Sequence, residues 1–124
     1  MGIISGLRGN ASEVSLEKIR EQFEPILIEG EELEKAFKII RDLYVFTNKR
    51  LILVDKQGIV NKKAEFMSIP YKSITKFAKE SAGLMDFDAV LKIWIADHLQ
   101  PITAEFKKNN NVNEVYQILS KYVL

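Results

Sequence analysis

Apolar and polar residues alternate through the middle of the chain, between about residues 33 and 107, as is typical of β-strands. The clearest stretch is residues 87–95, where every second residue is apolar. Six further runs rich in bulky side chains are separated by turn residues: AFKII, LYVF, LILV, AEFMSI, ITKFAK and PITAEF. Pro70 indicates that the fourth of the seven strands ends there or lies at a sheet edge. The pattern predicts seven antiparallel strands.

Helical spacing replaces this alternation at both ends of the chain. Asn10 and Glu13 are spaced as at a helix start, and apolar residues then recur until Pro25, which should end or kink the helix. This predicts an N-terminal helical segment over about residues 10–28. After residues 109–111, apolar positions at steps of three and four predict an amphipathic helix over about 111–124.

These elements predict a mainly β fold for a single domain of residues 1–124. A curled seven-stranded antiparallel barrel leaves one open end, and the C-terminal helix has a wide apolar face that can cap it. The N-terminal helix then lies outside the barrel. The length of 124 residues is sufficient for one hydrophobic core.

The first two predicted strands are apolar on both faces. Tyr44 and Phe46 alternate with Leu43 and Val45, and Trp94 lies one residue off the apolar stripe of its own strand. Exposed aromatic faces are costly unless something covers them. We therefore predict that Tyr44, Phe46 and Trp94 contribute to an interface between chains, and that the protein is a homo-oligomer.

Composition narrows the functional classes. The chain has no cysteine, which excludes disulfides, thiol catalysis and cysteine metal sites. No apolar run is long enough to span a bilayer, and the first residues do not match a secretion signal. We therefore expect a cytoplasmic protein.

The net charge of +1 conceals a segregation of charge. Residues 49–79 contain eight basic and two acidic residues, a net +6, whereas the flanking segments are acidic. Within this basic segment, Lys62, Lys63 and Lys72 are candidates for weak binding of anions or anionic lipid. The same charges are equally consistent with solvated strand faces or with complementary surfaces on neighbouring subunits.

Residue types that perform catalysis are sparse. His98 is the only histidine and follows Asp97 in a predicted turn, with no serine placed as a nucleophile. Asp86 and Asp88 supply too few oxygens for calcium. No glycine-rich phosphate loop is present, and the aromatic residues of the basic segment are expected in the core or in an interface. We predict no cofactor, no metal, no nucleic-acid partner and no enzymatic activity.

The stretch Thr47-Asn48-Lys49-Arg50 separates two apolar runs. Asn48 and Lys49 fit the two central positions of a tight hairpin, for which positive φ is expected. Two loop residues do not make a pocket, so the pattern favours a turn over a cationic binding site.

Three segments, FTNKRLILVDKQG, SIPYKSIT and DAVLKIWI, closely resemble the bacterial pleckstrin-homology (PH) domain family. GLRGNASEV and ILIEGEE fit the same family, and GRAM and other PH-like domains share the T-N-x-R-L hairpin more distantly. The resemblance implies a seven-stranded PH barrel capped by the C-terminal helix, ring-like homo-oligomers and no established enzymatic activity.

The expected function is therefore a non-catalytic interaction module that self-assembles and serves as a scaffold or binds an unidentified protein. The alternative is a peripheral domain that binds anionic lipid or phosphate through residues 49–79. Eukaryotic PH domains that hold phosphoinositides use basic residues in the loop between their first two strands. That loop is here Arg41-Asp42, with one basic residue, so any membrane association is expected to be weak.

Overall fold

A computed structural model describes residues 10–39, 42–57, 63–81, 89–106 and 112–124. These residues form eight strands and two α-helices. The elements are β1 (Asn10–Glu13), α1 (Leu16–Phe23), β2 (Leu33–Ile39), β3 (Asp42–Thr47), β4 (Arg50–Gln57), β5 (Lys63–Pro70), β6 (Ile74–Ser81), β7 (Ala89–Ile95), β8 (Ile102–Phe106) and α2 (Val112–Val123).

The strands form one curled sheet in the order β5-β4-β3-β2-β1-β8-β7-β6. Neighbours are antiparallel except β1 and β8, which run parallel. The mainly β fold of a curled sheet predicted from the sequence is confirmed, with one more strand than expected. Strands β5 and β6 are the two edges of the sheet.

The additional strand is β1, and it corrects the predicted start of the N-terminal helix. Ala11 pairs with Ile39 on β2 and with Phe106 on β8, so this segment joins the two halves of the sheet. Backbone hydrogen bonds to two neighbours and burial of Ala11 outweigh the helix-start spacing of the local sequence. The helix α1 begins only at Leu16. It ends at Phe23 and is followed by a 3₁₀ turn, Glu24–Ile26, that contains proline.

Two apolar clusters cover the two faces of strands β2 to β4. The larger cluster fills the inside of the curled sheet and includes Tyr44 and Phe46, which are 2% and 0% exposed. The smaller cluster lies on the outside, where Ile19 and Phe23 of α1 cover the outward side chains of β3 and β4. The two clusters of a single chain therefore cover both apolar faces of these strands. This corrects the interface prediction for Tyr44 and Phe46, because the single chain buries both side chains.

Helix α2 packs against the sheet beside β6 and β7, as the amphipathic pattern predicts. Val115 and Leu119 are buried in the larger cluster, and Tyr122 stacks on Tyr71 with ring centroids 5.0 Å apart. Tyr122 also donates a hydrogen bond to Glu34 of β2. The helix is thus fixed by both apolar and polar contacts. Neither described helix has the length and apolar character that a bilayer crossing requires.

Candidate interaction surface

The β3–β4 hairpin is held by side chains of its own T-N-K-R sequence. The Thr47 hydroxyl oxygen accepts hydrogen bonds from the N–H groups of Lys49 (2.9 Å) and Arg50 (3.0 Å). The Asn48 side chain accepts the N–H of Glu32 (2.8 Å) and donates to the Gly30 carbonyl (3.0 Å). The tight hairpin is confirmed, but the expected positive φ is absent from Asn48 and Lys49, because the Thr47 side chain closes the turn instead.

All three guanidinium nitrogens of Arg50 donate hydrogen bonds within the chain. Its guanidinium donates to both carboxylate oxygens of Glu31, from Nε to Oε2 and from Nη2 to Oε1, each at 2.8 Å. The remaining Nη1 donates to the Ser68 hydroxyl (2.9 Å), and Nη2 also donates to the Ile26 carbonyl (2.8 Å). Planar two-point pairing of this kind is the strong form of an arginine–carboxylate contact. Four of the five N–H groups of Arg50 therefore donate within the chain, and only one N–H of Nη1 lies outside these bonds.

Glu31 is the buried centre of this arrangement, which we call the hairpin clamp (Glu31, Thr47, Asn48 and Arg50). Its side chain is completely buried and also accepts the Thr47 hydroxyl at 2.7 Å. Burial alone would raise the pKa of Glu31. Hydrogen bonds from Arg50, Thr47 and the Ile28 N–H, with the positive charge of Arg50, outweigh burial and lower the pKa to about 2. The Glu31 carboxylate is thus fully hydrogen-bonded, and the role of the clamp is structural.

The clamp ties the loop before β2 to the hairpin, which the sequence indicates only in part. The segment EGEE predicts a polar turn with Gly30 as its breaker, and Gly30 indeed has φ of 84°. Nothing in that segment distinguishes Glu31 from its acidic neighbours. The pairing of Glu31 with Arg50 spans 19 residues and is visible only once the chain is folded.

Lys63 and Lys72, two of the three lysines predicted to bind anions, are not brought together. Lys63 begins β5 and Lys72 follows its other end, and both are exposed. At about 3.3 Å per residue, the extended strand between them separates the two by roughly 25 Å. Lys62 lies outside the described residues. An intact strand therefore holds Lys63 and Lys72 apart, so the two cannot share one small anion site, and weak anion binding at either of them stays a prediction.

Other cations of the basic segment have partners within the chain. The Lys76 ammonium lies 4.9 Å from the centre of the Trp94 ring, within cation–π range. Lys79 donates to the Asn113 side chain of α2 at 2.7 Å. Trp94 itself is half-buried on the outer face of β7. Of the three predicted interface residues, it is the one that remains at the surface.

Asp97 and His98 lie in the predicted turn after β7 and border a groove of about 250 Å³. The groove, called here the edge groove, is lined by residues 67–70 of β5, Ser73 and residues 95–98. Asp97 has φ of 70°, and the His98 Nδ1 lies 3.1 Å from the Ala96 carbonyl oxygen. The described residues contain no cluster of three metal-ligating side chains. Pro70 predicted that its strand, β5, ends there or lies at a sheet edge, and β5 is an edge strand. The groove itself was not predicted.

A second surface feature lies on the outer side of β5. Ile26, Ile28 and Phe66 are 38%, 59% and 39% exposed. Arg50 bonds both the Ile26 carbonyl and the hydroxyl of Ser68, and Phe66 lies two residues before Ser68 on the same strand face. Ile26 and Phe66 therefore lie on either side of Arg50, and Ile28 follows Ile26 by two residues. These three exposed apolar side chains are called the Ile28 patch. The ring of Phe66 packs edge-on against Phe23 of α1, at 5.6 Å between centroids.

Comparison with known proteins agrees with this geometry. The family model described as "Bacterial PH domain" matches residues 2–123. The chain belongs to the bacterial PH domain family. Among its relatives, the uncharacterized protein YjqA of Bacillus subtilis (strain 168) is 53% identical, and the match covers 97% of each chain.

Solved structures place this bacterial PH domain among close structural neighbours. A DUF1696 family protein with a pleckstrin-homology domain from Shewanella loihica PV-4 superposes with a TM-score of 0.82 at 45% identity, over 94% of this chain and 99% of that one. A pleckstrin homology domain from Shewanella amazonensis SB2B gives a TM-score of 0.68 at 48% identity, over 94% of each chain. The resemblance noted in the T-N-K-R hairpin and its companion segments is confirmed.

Proposed function

We propose that this bacterial PH domain is a non-catalytic interaction module that self-assembles into a ring-like homo-oligomer and serves as a scaffold for other proteins. The Ile28 patch is the observation that carries the proposal. Its three large apolar side chains are exposed, and we infer that they form one contiguous surface; such surfaces mark sites of protein contact. The patch rests on the hairpin clamp, so it is presented on a rigid support.

Charge and geometry favour a second copy as the partner of the patch. The net charge of +1 leaves little repulsion between copies. The Ile28 patch and the half-buried Trp94 lie on separate parts of the sheet, next to β5 and on β7. Contact between two unlike surfaces is heterologous, and heterologous contacts generate rings when the rotation closes.

A non-catalytic role is supported by how the reactive side chains are used. Glu31 and Arg50 neutralise each other inside the clamp. His98 is exposed and bonds to a neighbouring backbone carbonyl rather than to the carboxylate of Asp97. These groups hold the backbone, and none of them aims a nucleophile or a general base at a shared point.

Light scattering coupled to size-exclusion chromatography at two concentrations tests the proposal. The expected result is a concentration-independent mass several times 14.2 kDa for the wild type and monomer mass for Ile28→Asp. Leu124→Asp is the matched control, because Leu124 is 89% exposed at the far end of the chain; it should remain assembled. A monomeric wild type at both concentrations would refute self-assembly. An Ile28→Asp variant that stays assembled would refute the role of the patch.

A further inference from the structure

The edge groove lies beside an unpaired strand edge. Among the described residues, β5 hydrogen-bonds only to β4, through a register that runs from Arg50 opposite Pro70 to Gln57 opposite Lys63. An edge strand presents every second residue's N–H and C=O away from its one neighbour. Such groups are a template for an additional strand.

The hydrogen bonds of β4 show which residues of β5 present these groups. The N–H of Arg50 goes to the Thr47 hydroxyl (3.0 Å), and the N–H of Lys56 goes to the Asp42 carboxylate (3.0 Å). Both bonds lie on the β3 side of β4. The even-numbered residues of β4 therefore do not bond to β5, and their opposite residues on β5 direct their backbone groups outward. These outward residues include Phe66 and Ser68.

The groove adjoins this free edge and has room for one large side chain. Its walls include the apolar residues Met67, Ile69 and Ile95. A volume of about 250 Å³ is below the range of roughly 300–1,000 Å³ that is usual for small-molecule sites. A free edge beside a single apolar pocket is the arrangement by which domains bind extended peptides. Main-chain hydrogen bonds then supply affinity, and the pocket selects a side chain.

The rim of the groove indicates the charge of the occupant. Asp97 is the only carboxylate among the described lining residues, and it is exposed and outside the described ion pairs. The His98 Nδ1 lies 3.1 Å from the Ala96 carbonyl oxygen, which can only accept, so Nδ1 is the donor in this contact. The Asp97 carboxylate therefore gives the rim an acceptor, which complements the donors of lysine or arginine.

We propose that the free edge of β5 and the edge groove bind an extended segment of a partner protein as an added β-strand. An apolar side chain of that segment enters the groove, and a nearby Lys or Arg pairs with Asp97. This inference rests on the proposed role as an interaction module but not on self-assembly. Phe66 belongs to both the Ile28 patch and the free edge, whereas no residue of the patch lines the edge groove.

The probe is a phage-displayed library of random twelve-residue peptides, panned on the full chain. We expect enrichment of sequences that combine a large apolar residue with a nearby Lys or Arg. Selected peptides are then synthesised with a fluorescent label, and their dissociation constants are measured by anisotropy. Failure to enrich this pattern would overturn the proposal.

Two matched variants at Ser68 test the backbone contact. Ser68→Pro removes the outward N–H, whereas Ser68→Ala removes the hydroxyl but keeps the N–H. We expect Ser68→Pro to bind the peptides about tenfold more weakly than Ser68→Ala. The proline variant loses the hydrogen bond from the N–H of residue 68 to the added strand, and its ring adds bulk at the edge. Equal binding by the two variants would overturn the added-strand mode. Their far-ultraviolet circular dichroism is compared to establish that both are folded.

Two further variants test the groove and keep the proposal falsifiable if proline at residue 68 unfolds the chain. Ala96→Phe places a ring in the exposed part of the groove and should abolish binding. Asp97→Asn keeps the shape and tolerates the left-handed backbone, and it should weaken only peptides that contain Lys or Arg. If neither substitution changes the dissociation constants of the peptides, the proposed site is wrong. Mass is measured on the same samples, so loss of peptide binding is distinguished from loss of self-assembly.

Discussion

The hairpin clamp and the edge of β5 are neighbours, joined by the hydrogen bond from Arg50 to Ser68, yet they differ in how their polar groups are used. The clamp contains Arg50 of the T-N-K-R motif, whose charge is paired with the buried Glu31. The edge consists of ordinary residues, such as Phe66 and Ser68, whose backbone groups have no partner in the described sheet. We therefore expect binding at the unsatisfied groups of the edge rather than at the paired charges of the clamp.

Breaking the clamp gives the largest expected effect. Arg50→Met keeps an apolar stem but leaves the Glu31 carboxylate buried without its cation. We expect the free energy of unfolding to fall by about 3–5 kcal/mol, measured by urea denaturation at pH 7. The control is Lys49→Met, at the exposed neighbouring position, which should change it by less than about 0.5 kcal/mol. Similar losses in both variants would show that the clamp does not stabilise the fold.

Acid should weaken the clamp through Glu31. Its pKa is lowered from 4.5 to about 2, so the folded state stabilises the ionised carboxylate. The stabilisation is therefore fully present above pH 4.5 and is lost as the pH falls toward 2. At 1.36 kcal/mol per pKa unit, the loss is roughly 3 kcal/mol. Urea unfolding between pH 6 and pH 2 measures it, with Glu31→Gln as the control. If the wild type and this variant lose stability in parallel, Glu31 is not the responsible group.

Two buried tyrosines extend the comparison between satisfied and unsatisfied groups. The Tyr71 hydroxyl donates to the Thr47 carbonyl of the clamp at 2.6 Å, whereas the buried Tyr44 hydroxyl has no hydrogen-bond partner among the described residues. Tyr71→Phe should lower the free energy of unfolding by about 1–2 kcal/mol. Tyr44→Phe should leave it within about 0.5 kcal/mol or raise it, because only an unpaired polar atom is removed. Thermal unfolding measures both, and equal losses would contradict this assignment.

Much of the fold follows from local sequence pattern. Runs of bulky residues between turn residues located β2 to β8, and apolar spacing located α2, because these elements bury apolar side chains in the two clusters. β1 was not predicted as a strand. Its pairing depends on β2 and β8, which are distant in sequence, and four residues carry little periodicity of their own.

The surfaces were less predictable than the core, for the same physical reason. Tyr44 and Phe46 are strongly apolar, and their pattern does not reveal whether a helix of the same chain or a second chain covers the strand. Whether Lys63 and Lys72 lie near each other depends on the strand between them. The edge groove combines residues from β5 and from the turn after β7, so no contiguous motif encodes it.

The smallest effect is expected at the edge and provides the sharpest check of the register. Ser68→Pro should differ from Ser68→Ala by less than about 1 kcal/mol in unfolding free energy, because the N–H at residue 68 faces away from β4 and proline is tolerated there. Met67→Pro removes an N–H that faces β4 and should cost about 3 kcal/mol or more. Urea denaturation compares the three. If proline is as damaging at residue 68 as at residue 67, the outward groups of β5 are assigned to the wrong residues, and the added strand has no template at Phe66 and Ser68.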